Sequence, residues 1–413
     1  MSNVAVKEKS VQQNMIYNTV GSLVYYLCQW ITTILIVKLS GYDDAGILSL
    51  AMSASAAPSI IALFNVRSYQ VSDIRDEFKP DAYIMARFYT NVLAFVTCFV
   101  LAITQGYTVW KILCIMAFMF VRISESYADV YYGIEQKLAR MDYTGISLAA
   151  RGIGSLALFV GILWLFNNLF FSILSMAVFS FGFAFLFDRR IVKSWNLDKT
   201  TNVKLFDSVK KLLLICYPLA IVAFFNNLSI NMPKLFLEKY FGEEVMGIYS
   251  SVASPTMVIQ LAATTLFAPM VPVLTSYFTE KKKSEFINTL KKFIILVLGI
   301  FVVSVIGSIF LARWALTLIF NEQIADYVYL FIPVIGVALL IAINASLFSV
   351  CTLLRAIKSQ YIIAALGMLA SFVMSVTVLK STQMMGVIYA SITTLVVQII
   401  VQCIIIFRKI KDM

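Results

Sequence analysis

Polar breaks divide this chain into twelve apolar stretches, at approximately 16–37, 46–66, 82–104, 109–132, 143–165, 167–187, 211–237, 247–274, 286–312, 327–353, 359–379 and 384–407. Each is close to the roughly 20 residues a helix needs to cross a hydrocarbon core of about 30 Å. The pattern predicts an all-α membrane protein of twelve transmembrane helices, called spans 1 to 12 below. Composition agrees: 61% of the 413 residues are hydrophobic and 13% charged, against roughly a half and a quarter in soluble domains.

The pattern also repeats. Lys38-Leu-Ser-Gly41-Tyr-Asp-Asp-Ala-Gly46-Ile47 returns 201 positions later as Lys239-Tyr-Phe-Gly242-Glu-Glu-Val-Met-Gly247-Ile248. From Val37 to Ser53 six of seventeen positions are identical to their counterparts, where random pairing gives about one. The alignment sets the connection between spans 1 and 2 on that between spans 7 and 8. The longest polar connection, about Asp188 to Lys210, lies halfway along the chain. Two six-helix lobes are therefore expected, 1–195 and 196–413, related by a parallel repeat about an axis along the membrane normal, with a substrate site between them.

Lysine and arginine orient the spans. The N-terminus, the even-numbered connections and the C-terminus hold 25 of the 33 basic residues, whereas the odd-numbered connections hold Lys38, Lys111, Lys234, Lys239, Arg313 and Lys380. Because cytoplasmic loops retain positive charge, both termini are expected in the cytoplasm. The net charge of +11 lies in short juxtamembrane clusters such as Arg189-Arg190 and Lys281-Lys282-Lys283; membrane lipid head groups explain them, and no nucleic acid partner is expected. A short, mostly polar segment precedes a first span too long for a signal-peptide core, so no cleavable signal is expected. The six cysteines fall within or at the ends of spans without close spacing, which predicts neither a disulfide framework nor a metal site.

Charges inside spans are the candidate chemistry, since each costs about 2.5–3.5 kcal/mol at a helix centre on insertion scales. Asn227, Asn231, Lys234 and Glu238 recur at helical spacing and make one polar stripe on span 7. Asn18, Ser22, Tyr25, Gln29 and Thr32 make a similar stripe on span 1. One reading has both stripes lining a water-filled cavity; the other has the amides bonded between packed helices and Lys234 paired with Glu238. Span 4 carries Arg122, Glu125, Asp129, Tyr132 and Gln136 on one face, and Arg151 follows in span 5. There the structural reading leads: two arginines and two acids neutralise one another and pin spans 4 and 5 together. The alternative is a cationic phosphate site, or a proton relay through Glu125 and Asp129. With no histidine in the chain, proton coupling would fall to carboxylates such as these or Glu238. Small residues around Pro58 in span 2, and Pro255, Pro269 and Pro272 in span 8, suit close packing or bending at a gate.

No phosphate-cradling glycine loop, catalytic triad spacing or ligand cluster is present in the sequence, and neither an enzyme nor a cofactor is expected. Four stretches carry a resemblance: Asp44-Ala45-Gly46-Ile47; Arg67-Ser-Tyr-Gln70-Val-Ser-Asp73; Arg122 to Asp142, with Tyr132-Gly133, Gln136-Lys137 and Arg140-Met141-Asp142; and Lys234 to Gly247. In these and in its twelve spans the chain resembles the bacterial O-antigen and capsular repeat-unit flippases. Their superfamily also holds multidrug extruders and the peptidoglycan lipid flippase, which has two helices more.

The resemblance implies a multi-pass protein of the bacterial inner membrane that moves a polyprenyl-pyrophosphate-linked glycan to the outer leaflet by alternating access. A polysaccharide polymerase and glycosyltransferases would be its pathway partners. On matching positions, Lys234 leads the residues expected to meet substrate, with Asn231, Asn227, Gln29, Arg122, Arg151, Lys38 and Lys239 behind it. Glu238, Glu125 and Asp129 are the candidates for ion coupling. The alternative is a cation-coupled multidrug exporter of the same fold, for which acids and aromatics rather than bases would be expected in the cavity. A membrane scaffold without transport is a third reading.

Overall fold

The computed structural model describes residues 9–73, 77–197, 202–267, 270–354 and 356–411, nearly all of them helical. They divide into two compact units, Met1–Phe224 and Phe225–Met413.

In the first unit α1 (Val11–Leu63) opens on a reciprocal cap. The Ser10 hydroxyl accepts from the Gln13 N–H at 3.2 Å, and the Gln13 side chain accepts from the Ser10 N–H at 3.4 Å. Gly41, at φ 88° and ψ −173°, interrupts α1 with backbone open essentially to glycine alone. Past Leu63 two left-handed residues, Phe64 and Asn65, turn the chain into α2 (Val66–Ser72). There follow α3 (Pro80–Thr104), α4 (Val109–Lys137), α5 (Met141–Phe166) and α6 (Leu169–Phe183). A five-residue π-helical segment, Ala184–Asp188, then leads into α7 (Arg189–Ser194). The backbones of α1 and α5 meet closely: a methyl at Gly21 would collide with Gly145, and one at Gly152 would stand 2.9 Å from the Tyr25 Cα. Small residues at such crossings are how membrane helices gain dispersion contact without a hydrophobic drive.

The unit boundary falls within α8 (Asn202–Ala253) rather than in the polar connection before it. The cause is packing. Val209, Leu212 and Cys216 of α8 share a buried cluster with Val66, Phe78, Tyr83, Tyr131 and Trp195 of the first unit.

In the second unit α8 is interrupted at Gly242, with φ 85° and ψ −179°. Beyond it lie α9 (Met257–Phe267), α10 (Met270–Thr279), α11 (Lys283–Ile319), a 3-10 segment Glu322–Leu330, α12 (Phe331–Leu353), α13 (Ile357–Thr377) and α14 (Leu379–Lys411), the last broken at Gln383. Phe267, Phe286, Phe293, Val350 and Ile406 anchor its core. A buried amide pair, Gln402 Nε2 to Asn344 Oδ1 at 3.0 Å, fastens α14 to α12.

Among the described residues nine helical stretches are long and apolar enough to cross a membrane. Two of them, Gln12–Val71 and Leu205–Gln260, have 60 and 56 residues. At 1.5 Å per residue either would run to more than about 80 Å as one rod, well beyond any bilayer; these are the stretches that Gly41 and Gly242 interrupt. Helix α4 is absent from the nine because Arg122, Glu125 and Asp129 break its apolar run.

Candidate functional site

The span 7 stripe lies on α8 in the second unit. Asn226 and Ser229 face other helices: Gln398 of α14 donates to the Asn226 Oδ1 at 2.9 Å and to the Ser229 Oγ at 3.3 Å, and Ser371 of α13 donates to the Ser229 carbonyl at 2.7 Å. At about 100° per residue, Asn227, Asn231, Lys234 and Glu238 fall roughly 140° around the helix from that packed face. Asn231 Nδ2 bonds to the Asn227 carbonyl at 3.0 Å and to its Oδ1 at 3.1 Å, so these two amides satisfy each other along the helix. Lys234 is half-buried, and among the described residues it has neither hydrogen bond nor ion pair. The local Lys234–Glu238 pair expected under the structural reading is therefore not formed. Glu238 is buried. Lys38 and Lys239 are exposed.

The span 1 stripe behaves differently. Tyr25 and Thr32 are buried, the Tyr25 hydroxyl donates to Glu125 of α4, and Gln29 Nε2 donates to the Tyr25 oxygen at 3.3 Å. At the 201-residue offset Tyr25 falls on Asn226 and Thr32 on Pro233. The polar face of span 1 thus matches the packed face of span 7, not its Asn227–Glu238 stripe.

The first unit carries most of the intramembrane charge. Arg122 pairs with Glu125 on its own helix at 3.0 Å and stands over the Phe118 ring at 5.2 Å. Asp129 meets Arg67 at 3.0 Å and also Arg87. Arg87, 1% exposed, donates as well to the carbonyls of Ala62 and Leu63, which Thr90 and Ser126 help to satisfy at Ala62. A guanidinium thus closes the carbonyl end of α1, where the helix dipole is negative. Arg151, 1% exposed, meets no carboxylate within ion-pair distance among the described residues; it donates to Ser180 at 3.3 Å, Tyr132 at 3.1 Å and Ser124 at 3.3 Å. The expected pinning of α4 to α5 by acid and arginine is corrected in its chemistry: Arg151 holds α4 through hydroxyls, while the acids bind Arg122, Arg67, Arg87 and Tyr25.

Two of the four sequence motifs dock on each other. Arg67 donates to the Gln136 Oε1 at 3.0 Å through its terminal nitrogen, Gln70 Nε2 donates to the Val130 carbonyl at 3.2 Å, and Lys137 Nζ donates to the Asp73 carbonyl at 2.6 Å. A methyl at Gly133 would collide with the Gln70 amide, so glycine there lets that side chain lie against α4 without shifting. Asp73 accepts from the N–H groups of Glu77 at 3.0 Å and Phe78 at 3.2 Å and from the Tyr83 hydroxyl at 3.0 Å. Burial alone would raise its pKa; those donors and the Lys137 ammonium overcome it and hold the carboxyl below its ordinary value. Arg140 grips Asp142 through two bonds of 2.9 Å, and Asn14 bridges the Ala139 carbonyl and the Met141 N–H.

Arg87, Glu135 and Asp188 were not singled out from the sequence. Arg87 sits close enough to the start of its span to count with the cytoplasmic charges, and the acids sit near span ends where carboxylates are ordinary. All three are buried.

The family model for polysaccharide biosynthesis proteins matches residues 81–278. The capsular polysaccharide biosynthesis protein CapF of Staphylococcus aureus is 28% identical over 321 residues, 76% of this chain and 78% of that protein. Among solved structures, the Vibrio cholerae MATE transporter VcmN in its bent form superposes with a TM-score of 0.64 at 11% identity over 97% of this chain and 96% of its own. A transporter of the MOP superfamily from Pyrococcus furiosus does so with 0.65 at 11% identity over 98% of each chain. At such identities the structural likenesses speak for the fold. Together these findings support the resemblance read from the sequence: the chain is similar to polysaccharide biosynthesis proteins and shares its fold with transporters of the multidrug and MOP kind.

Proposed function

We propose that the protein is a flippase that carries a polyprenyl-pyrophosphate-linked oligosaccharide repeat unit across the bacterial inner membrane by alternating access, with both termini in the cytoplasm. The observation that carries the reading is a polysaccharide-biosynthesis match on a transporter fold. Reading Gln12–Val71 and Leu205–Gln260 as two spans each, and adding α4, gives twelve spans. The near-identical backbone at Gly41 and Gly242 supports a parallel repeat of six, with lobes near 1–195 and 196–413.

Lys234 is the residue proposed to meet the pyrophosphate, since an ammonium suits phosphate as a point charge. Asn227 and Asn231 flank it on the face of α8 turned from the packing contacts. Lys38, Lys239, Gln29, Arg122 and Arg151 are secondary, the last two because they already hold Glu125 and three hydroxyls. Lys234→Ala should leave the protein folded while lipid-linked repeat units accumulate in the inner leaflet and surface glycan falls. Normal surface glycan in that variant removes Lys234 from the mechanism.

The second reading is a cation-coupled multidrug exporter, favoured by the named functions of the solved neighbours. Drug resistance that rises with expression, with surface glycan unchanged on deletion, would favour it.

A further inference from the structure

The carboxylates expected to couple ions in the first unit are already neutralised by contact: Glu125 by Arg122, Asp129 by Arg67 and Arg87. Two other acids in that unit are not. Glu135 near the end of α4 and Asp188 at the end of the π-helical segment are both 0% exposed. Each has one carboxylate oxygen satisfied by a single hydroxyl, Thr144 Oγ1 to Glu135 at 2.6 Å and Ser147 Oγ to Asp188 at 3.0 Å. The other oxygen of each, Glu135 Oε1 and Asp188 Oδ1, is buried with no hydrogen-bond partner. Neither acid has a basic group within ion-pair distance among the described residues.

Thr144, Ser147 and Arg151 stand at i, i+3 and i+7, one face of α5, so the two carboxyls hang from hydroxyls one turn apart. A chain of bonds continues from there. Ser147 meets the Tyr132 hydroxyl at 2.8 Å, and Arg151 donates to Tyr132 at 3.1 Å. Arg151 therefore reaches Asp188 only through two hydroxyls. The other groups facing the pair are Asp142, committed to Arg140, and Arg67, committed to Asp129 and Gln136. A buried carboxylate oxygen without a protein partner is costly, and each one calls for an explanation, whether a water, an ion or a proton. The π-helical turn that presents Asp188 is a geometry that recurs at functional sites.

We infer that Glu135 and Asp188 form a proton-binding pair, and that its loading and release is the ion coupling of the transport cycle. The inference deepens the flippase reading and rests on it for the word coupling, though not for the binding of the proton. Chemically the step is minimal: a proton from water adds to one carboxylate oxygen and forms one O–H bond, and the same bond breaks on release. No other bond changes. Arg189 and the exposed Arg190 follow Asp188 directly, placing the pair within a turn of water-accessible chain. A proton needs no cavity, and the hydroxyls of Thr144, Ser147 and Tyr132 can each reverse donor and acceptor to follow it.

The test is infrared difference spectroscopy on the purified full chain, between acid and alkaline buffer, in water and in D2O. Wild type should show a buried carboxylic C=O band that shifts in D2O. Glu135→Gln and Asp188→Asn should each reduce it, whereas Glu125→Gln should leave it unchanged. Ser147→Ala keeps both acids and should move the band; it serves as the readout where an acid variant does not fold. A band absent from wild type, or present unchanged in all three of E135Q, D188N and S147A, overturns the pair. Should the band behave as described while deletion of the protein leaves surface glycan unchanged, the flippase reading fails and the proton site stands. In cells, E135Q and D188N should lower surface glycan at least tenfold with the protein still in the membrane; glycan at wild-type level in both overturns the coupling.

Discussion

Gly41 and Gly242 make the same backbone demand at two places 201 residues apart, with angles of 88°/−173° and 85°/−179°. A residue with a side chain pays about 1–3 kcal/mol to occupy that region. A Cβ at either position would meet nothing within 4 Å, so alanine adds no clash and the cost is backbone alone. Against it, alanine removes unfolded-state freedom worth about 0.4–1 kcal/mol. Gly41→Ala and Gly242→Ala should each lose about 1–2 kcal/mol net, and by nearly equal amounts. At about 2–4 °C per kcal/mol for a unit of this size, thermal unfolding of the full chain in detergent should fall by about 2–8 °C. Gly307→Ala is the control, since Gly307 lies inside α11 without a positive φ and also with nothing within 4 Å of its Cβ position. It should gain about 0.5–1 kcal/mol. A Gly242→Ala protein that unfolds no earlier than wild type, or a pair in which one loss is more than twice the other, refutes the account.

The charged core of the first unit makes two further predictions. Asp129→Asn leaves the fully buried Arg87 guanidinium without its counter-charge and should destabilise by about 3–5 kcal/mol, whereas Arg67→Gln, whose side chain is 30% exposed, should cost about 1 kcal/mol or less; equal losses in thermal unfolding would contradict this assignment. Asp73 has a folded-state pKa held below its unfolded value, so its contribution is complete above the unfolded value of about 3.9 and is lost as the pH falls through the lower folded one. Unfolding followed by titration from neutral to strongly acid buffer should therefore show a steeper acid limb in wild type than in Asp73→Asn, and parallel limbs would exclude it.

Hydropathy made the membrane helices legible because in lipid the backbone must satisfy itself, and a twenty-residue apolar run leaves little choice of structure. The glycine breaks were legible too, because a repeat preserves the positions where the backbone needs glycine. Partner identity was not. Helical spacing puts Arg122 beside Glu125, and that pair forms; it says nothing of whether Asp129 reaches Arg151 on the next helix or Arg67 and Arg87 on two others. Arg151 read as a partner for acids, and instead three hydroxyls hold it, because Ser and Thr in an apolar span carry no sequence signal of the direction they face. Glu135 and Asp188 escaped notice for a related reason. Near the end of a span a carboxylate is ordinary, and only the packing of α4, α5 and the π-helical turn shows that both are sealed from water.

These placements separate two uses of intramembrane charge. In the first unit Arg87, Arg122 and Arg151 each make specific bonds, to helix-end carbonyls and Asp129, to Glu125, and to hydroxyls. Such groups are stabilised by their partners, and removing one partner leaves an expensive orphan. Lys234 in the second unit is half-buried beside an amide pair that is already self-satisfied, without a bond of its own among the described residues. A charge kept at such depth without a protein partner is stabilised by water or by an anionic ligand. Substitution therefore separates the two by what is lost: stability first for the arginines of the first unit, and transport with stability intact for Lys234. On that ground Lys234, rather than the more numerous arginines, is the residue to test against a pyrophosphate.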